Sequence, residues 1–386
     1  MRSGKKHQPG PFLFARMARN SLRGSIRCIW CKEVKARKPD STRLWWIART
    51  LLILMSAAGT PGAQAALIAY EPFNYPASSN LSSNAGGSGW VGSWIYSPLI
   101  SNHGTINATN MDYGKLSSTG KSLRTAVANG IDNRDFRKLD TTNAAVAPYV
   151  DAAGKFGKSG TTLWIAFLAR LATSSNSGNG GVHLYDGLGD LTVSADGDKA
   201  NHERMFMGDR ASGTFWFIGR TCGGCPCGVF AASTNTVNGT LHLFAYRYDF
   251  IGTNVDVRLF IDPPLTNTPP NSSAAATLTG LCGFDFDWVE VGSGSESLDI
   301  DEFRIATTFE EAAPIDVPRL AEAQTNGALR VTLNGLPART YAIESTTDFV
   351  AWSTLTNGLS DANGVLQFDD TSFPASPARF YRGVFP

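Results

Sequence analysis

Charged residues are scarce: Asp, Glu, Lys and Arg make up 17% of the 386 residues, against about a quarter in an average globular chain. Long runs of Ala, Leu, Glu and Lys at helical spacing are missing, which argues against a helical fold. No Gly-x-Ser-x-Gly elbow accompanies any histidine, so a serine hydrolase of that type is disfavoured. Beyond residue 65 the histidines are only His103, His183, His202 and His242; each reads as a surface or strand residue. The Gly-rich stretch Gly178–Gly181 lacks the Lys-Ser/Thr of a phosphate loop and reads as a turn. What is abundant is 42% hydrophobic side chains and 39 glycines, with many Ser, Thr and Asn. That mixture favours short strands joined by turns, hence an all-β chain long enough for two domains.

The net charge of +1 conceals two unlike segments. Residues 1–65 carry 13 Lys and Arg against Glu33 and Asp40, a net of +11, and the remainder is left at −10. An acidic remainder excludes the basic surface that nucleic acid or anionic lipid requires. Within the basic segment, Leu44–Ala58 reads LWWIARTLLILMSAA and runs on to Ala63-Gln64-Ala65. This is the layout of a secretory leader, with cleavage expected before Ala66. Its apolar run is about half of the roughly 20 residues that span a bilayer, so no stable membrane span is expected after removal. The basic region before it is long, which also fits a start downstream of Met1. Cys28 and Cys31 in that region have no strand–helix context and read as incidental. A secreted or cell-surface protein is the expectation, and nothing in the sequence selects an oligomeric state.

Residues 66–313 form the expected main domain. Thr161–Arg170 (TTLWIAFLAR) is apolar on both faces, as a strand buried between layers would be. Leu241–Tyr248 and Val255–Ile261 read as a hairpin turning at Gly252-Thr253-Asn254, with Val255, Val257, Leu259 and Ile261 on one face. Strands at this spacing without intervening helices point to a sandwich.

The run LHLFAYRYDFIGTNVDVRLFIDP, with the closing LDIDEFRI at Leu298–Ile305, resembles the concanavalin A-like or laminin-G-like jelly roll. The opening AYEPFNYPASSNL and the ending DEFRIATTFEEAAP are similar to a recurrent type of secreted bacterial protein. The resemblance implies a two-sheet jelly roll in which Ala69–Phe73 lies beside Asp301–Ile305. Laminarinase-type members carry Glu-x-Asp-x-x-Glu on one strand, and no such stretch occurs here. Asp285, Asp287 and Glu290 come nearest, but two-residue alternation sets Glu290 on the face opposite the other two. No catalytic residue is therefore assigned. Asp301 and Glu302, which the same alternation sets on opposite faces, have two readings. They fix the closing strand by pairing with Arg304 or nearby backbone, or they ligate a structural calcium ion. No Asp-x-Asp-x-Asp-Gly loop accompanies them.

Beyond the leader stand Cys222, Cys225, Cys227 and Cys282. An even number in an exported chain reads as disulfides, and a four-thiolate zinc site is the sharper alternative. Aromatic residues are the remaining functional signal. Trp90, Trp94, Trp216, Tyr246 and Trp288 are the candidates for a platform that stacks on sugar rings, with core filling as the alternative for each.

Residues 318–386 form a second, small β module, with strands expected at Leu329–Leu333, Tyr341–Ser345, Trp352–Leu355, Val365–Phe368 and Arg379–Arg382. The run YAIESTTDFVAWSTLTNG resembles a fibronectin type III or immunoglobulin-like module, which implies presentation or attachment. The reading as a whole is a non-catalytic extracellular protein whose jelly roll binds a polysaccharide or envelope component. A polysaccharide hydrolase or lyase with an unrecognised site and a structural envelope or matrix protein are the alternatives.

Overall fold

The computed structural model describes residues 66–386 apart from 101, 126–132, 173–177, 190, 192–198, 210–213, 221–225, 227, 295, 326, 337–338, 373–378 and 386. The expected leader, residues 1–65, with Cys28 and Cys31, lies outside the described residues. In chain order the strands are β1 (Leu67–Glu71), β2 (Trp90–Tyr96), β3 (Thr105–Ile106), β4 (Leu123–Arg124), β5 (Asn133–Leu139), β6 (Thr162–Leu171), β7 (Asn179–Tyr185), β8 (Glu203–Asp209), β9 (Phe215–Arg220), β10 (Val229–Thr236), β11 (His242–Ile251), β12 (Asn254–Ile261), β13 (Ala276–Cys282), β14 (Trp288–Gly294), β15 (Leu298–Ala306), β16 (Arg319–Thr325), β17 (Ala328–Asn334), β18 (Thr340–Thr346), β19 (Ser353–Leu359), β20 (Val365–Asp370) and β21 (Phe380–Val384).

The first fifteen strands build a jelly-roll sandwich. One sheet runs β13-β12-β11-β6-β15-β4-β3 with β1 also paired to β15, and the other runs β10-β9-β8-β7-β14-β5-β2. Strand β6 is central to the first sheet, as its two apolar faces require. Leu163, Ile165 and Phe167 join the core between the sheets. Trp164, Ala166 and Leu168 lie on the other side, under the one-turn helix Phe309–Ala312 and the segment around Met111. Burying each such side chain stabilises the fold by roughly 1.5–3 kcal/mol. The β11–β12 hairpin closes on the pair Ile251↔Asn254, one residue tighter than expected. Gly252, with φ of 63°, begins its two-residue loop, a conformation that favours glycine.

The ends of the sandwich meet as the resemblance implies: Ala69 pairs with Ile305 and Tyr70 with Arg304. Strand β15 departs from simple alternation. Its register against β6 slips between Asp301 and Arg304, and Glu302 takes a φ of 54°. One extra residue at this bulge reverses the parity of the strand. Ile300, Phe303 and Ile305 thus all reach the core. Asp301 and Glu302 both reach the segment 111–119, where they accept the Met111 and Thr119 amides. The expectation that these two carboxylates lie on opposite faces is therefore corrected.

The C-terminal strands form two three-stranded sheets, β16-β17-β20 and β19-β18-β21. They enclose a small core of Leu329, Val331, Leu333, Tyr341 and Ile343. Strand β16 had no expected counterpart. Arg339 of this module pairs with Asp112 and donates to Ser118 Oγ at 2.6 Å, joining it to the 111–119 segment of the sandwich. Among the described residues no helix is long and apolar enough to cross a membrane.

Candidate functional site

The face of the β2–β10 sheet turned away from the core holds the densest polar cluster. Val182, Leu184, Met205, Met207, Val289 and Val291 point inward, so by two-residue alternation their neighbours point out. Cross-strand pairing arranges these neighbours in rows. One row reads Arg134, Gly292, Gly181, Gly208, Phe217 across β5, β14, β7, β8 and β9, and the next reads Phe136, Glu290, His183, Phe206, Gly219. The glycines are required by close approach: a Cβ on Gly181 would lie 2.2 Å from the Met207 carbonyl oxygen, and one on Gly208 2.1 Å from that of Gly180. Nearby, the bare backbone of Gly180, Gly292 and Gly294 lines a small cleft whose walls include Arg134, His183, Phe206 and Ser293.

Beneath the cleft, buried carboxylates hold its polar walls in place. His183 Nδ1 lies 3.1 Å from Glu203 Oε1, and its Nε2 lies 3.9 Å from Glu290 Oε1. Arg134 donates to Glu290 Oε1 at 2.8 Å, and the Tyr185 hydroxyl donates to Oε2 at 2.5 Å. Glu203 and Glu290 are 0% exposed. Burial first, and then the two carboxylates, push the Tyr185 phenol well above its ordinary pKa. It therefore stays a hydrogen-bond donor. The Phe206 ring packs 4.4 Å from the His183 ring and 5.0 Å from Phe217, giving the cleft an aromatic flank.

A second polar network sits beyond Trp288. Asp186 accepts from His202 Nδ1 at 2.6 Å and pairs with Arg204, which lies 3.6 Å from Asp285. Asp287 lies 3.7 Å from Lys138 Nζ. Burial, partly offset by these cations, raises both the Asp285 and Asp287 carboxyls above their usual range.

Of the five aromatic candidates, one shares the outer face with the cleft. Trp288 is half-buried there, with Lys138 Nζ 5.9 Å from its ring and Phe136 and Tyr185 beside it. Trp94, Trp216 and Tyr246 are corrected to core residues, each at most 1% exposed. Trp94 donates its indole N–H to Glu71 at 2.9 Å, Trp216 meets Phe244 edge-on at 4.8 Å, and Tyr246 stacks on Phe167 at 5.6 Å. No sugar ring reaches them there. Trp90 is half-buried, packs against the core and donates to the Tyr70 carbonyl at 3.1 Å.

The Asp301 carboxylate accepts the Met111 and Glu302 amides, each at 2.7 Å. Glu302 accepts the Thr119 amide at 2.6 Å and the Tyr70 hydroxyl at 3.0 Å, and pairs with Arg304. Of the two, Glu302 is the one paired with the Arg304 guanidinium. Among the described residues no group of three or more His, Cys, Asp or Glu is arranged to hold a metal ion. Cys282 is the last residue of β13; Cys222, Cys225 and Cys227 lie outside the described residues.

Sequence reasoning missed the cleft because its walls come from strands far apart in the chain. The available signal was the alternation Gly181-x-His183-x-Tyr185, matched by Phe206-x-Gly208 and by Trp288-x-Glu290-x-Gly292.

No protein-family model matches the chain, and no curated protein sequence matches it. Among solved structures, the endo-1,3-beta-glucanase from Streptomyces sioyaensis is similar at 10% identity and a TM-score of 0.36, covering 64% of this chain and 98% of that one. The T. cruzi calreticulin globular domain is similar at 10% identity and a TM-score of 0.35, covering 56% and 85%. Peanut lectin is similar at 10% identity and a TM-score of 0.31, covering 53% and 97%. The jelly roll itself stands on the strand pairing described above.

Proposed function

We propose that this chain is an exported protein that binds a carbohydrate, without cleaving it, through the cleft on the outer face of the β2–β10 sheet. The observation that carries this reading is the pairing of a bare glycine floor with rigidly held polar walls. Gly180, Gly292 and Gly294 leave the backbone of the cleft bare of side chains. Arg134, His183 and Ser293 give the cleft polar walls, Phe206 supplies flat apolar surface within it, and Trp288 lies further along the same sheet face. Glu203 and Glu290 are spent on His183, Arg134 and Tyr185, which suits them to fixing donors rather than to reacting with a substrate. The basic leader and the acidic remainder support export. In that compartment Cys282 pairs with one of Cys222, Cys225 and Cys227.

Affinity electrophoresis of the full chain in gels containing laminarin, xylan or pectin tests the reading. The wild type is retarded by one polymer and His183→Ala is not; equal retardation of both, with the variant's circular dichroism unchanged, would sink the cleft as the site. A hydrolase is favoured by one specific feature, the two carboxylates that face opposite nitrogens of His183. Release of reducing ends from the same polymers, lost in Glu290→Gln, would replace binding with cleavage.

A further inference from the structure

The C-terminal module displays an aromatic cluster that its own fold does not use. Tyr341 and Ile343 of β18 enter the module core, so Glu344 faces outward, paired with Arg382 on β21 and Thr354 on β19. Phe380 stands beside this row, opposite Thr346. The connection between β18 and β19 folds back so that the Phe349 ring lies 3.9 Å from Phe380 and 6.5 Å from Trp352. The Arg382 guanidinium lies 4.1 Å from the Trp352 ring centre and donates to Glu344 at 2.7 Å. Phe349 is 61% exposed, Val350 85% and Phe380 39%.

Phe349 also sits in a conformation its side chain disfavours, with φ of 60°. Polar side chains enforce the turn: Thr346 Oγ1 accepts the Phe349 amide at 3.1 Å, and Asp348 accepts those of Val350 at 2.8 Å and Ala351 at 3.0 Å. Glycine would meet this φ without strain, and here the turn instead holds an aromatic ring out on the surface.

The chemistry of the patch selects its occupant. Three rings and Val350 fall well short of the about 800 Å² per partner that a stable protein interface buries, which argues against a second copy of the chain. Arg382 and Glu344 neutralise each other, so the patch offers no net charge to an anionic polymer or a lipid headgroup. What remains is flat aromatic surface edged by Arg382, Glu344 and Thr354, which matches a neutral pyranose ring with an apolar C–H face and hydroxyls around its rim. We infer that Phe349, Trp352, Phe380 and Arg382 form a second carbohydrate site, for neutral pyranose units of a polymer, separate from the cleft of the sandwich. Two sites on one chain raise retention on a polymer through effective concentration, with no new contact at either.

The test is a pull-down of the full chain on microcrystalline cellulose, chitin and insoluble β-1,3-glucan, comparing wild type, Phe349→Gly and His183→Ala. Phe349→Gly removes the ring while relieving the backbone, so it melts at or above the wild-type temperature. Its retention on the polymer that holds the wild type falls roughly tenfold, the equivalent of one lost aromatic contact. His183→Ala reports on the cleft alone. Retention of Phe349→Gly equal to wild type, a melting temperature well below it, or no retention of the wild type on any of the three polymers overturns the proposal.

Discussion

Glu71 and Arg137 form an ion pair that crosses the sandwich interior, and breaking it on one side is expected to destabilise the fold severely. Glu71 belongs to β1 in one sheet and Arg137 to β5 in the other, with the Arg137 side chain 3% exposed and that of Glu71 0%. Arg137 donates to Glu71 at 2.6 Å, to the Gly86 carbonyl at 2.8 Å and to the Gly92 carbonyl at 2.9 Å. Arg137→Met preserves most of the side-chain length and leaves Glu71 as a buried carboxylate without its cation. Removing one partner of such a pair costs about 3–5 kcal/mol. Tyr75, Trp94 and the Phe73 amide still donate to Glu71, which places the effect toward the lower end of that range. At roughly 2–4 °C per kcal/mol for a domain of this size, the melting temperature falls by about 10 °C. Thermal and urea melts of wild type, Arg137→Met, Glu71→Gln and the double variant measure it, and the double variant recovers part of the loss. A loss below about 1 kcal/mol in Arg137→Met would refute the assignment of this pair as a tie between the sheets.

Burial, reinforced by the charge of nearby Glu290, pushes the Asp135 carboxyl up to about 7. The folded chain keeps a proton that the unfolded chain releases near pH 4, so this contribution is full below pH 4 and is lost as the pH rises to about 7. The slope is about 1.4 kcal/mol per pH unit at most. Asp135→Asn flattens the dependence, read as the difference between its melting profile and that of wild type from pH 4 to 8; parallel profiles count against it. Gly181→Ala drives a methyl group into the Met207 carbonyl at 2.2 Å and costs about 1–3 kcal/mol, and a variant as stable as wild type in urea would show that the strands can part. Non-reducing peptide mapping recovers Cys282 linked to a peptide containing Cys222, Cys225 or Cys227, and a free Cys282 thiol in chain purified without reductant contradicts that pairing.

Elements whose signal is local were legible in the sequence. Strand β6 announced itself by two apolar faces, the β11–β12 hairpin by alternation around Gly252, and five of the module strands by turns between short apolar runs. Strand β16 (RLAEAQT) has no such run. The bulge at Glu302 was hidden because one residue in the left-handed region inverts every assignment after it. The destinations of Trp94, Trp216 and Tyr246 were hidden for a related reason: alternation says which residues share a face, and only the packed sheets decide which face is covered. The cleft joins Arg134, His183, Glu203 and Glu290 from four strands, and no spacing rule links positions so distant.

The strands that join the two parts of each sheet are the last two of the jelly roll in the chain. Strand β14 sits between β7 and β5, and β15 between β6 and β4 while also pairing with β1. A chain delivered from its N-terminus therefore presents thirteen strands before either sheet gains the strand that joins its two parts. Closing the sheets pairs residues from 150 (Lys138 and Trp288) to 239 (Leu67 and Ala306) positions apart, a topology that folds slowly. A fragment that stops before Trp288 lacks both β14 and β15, which leaves each sheet in two parts with no strand to join them.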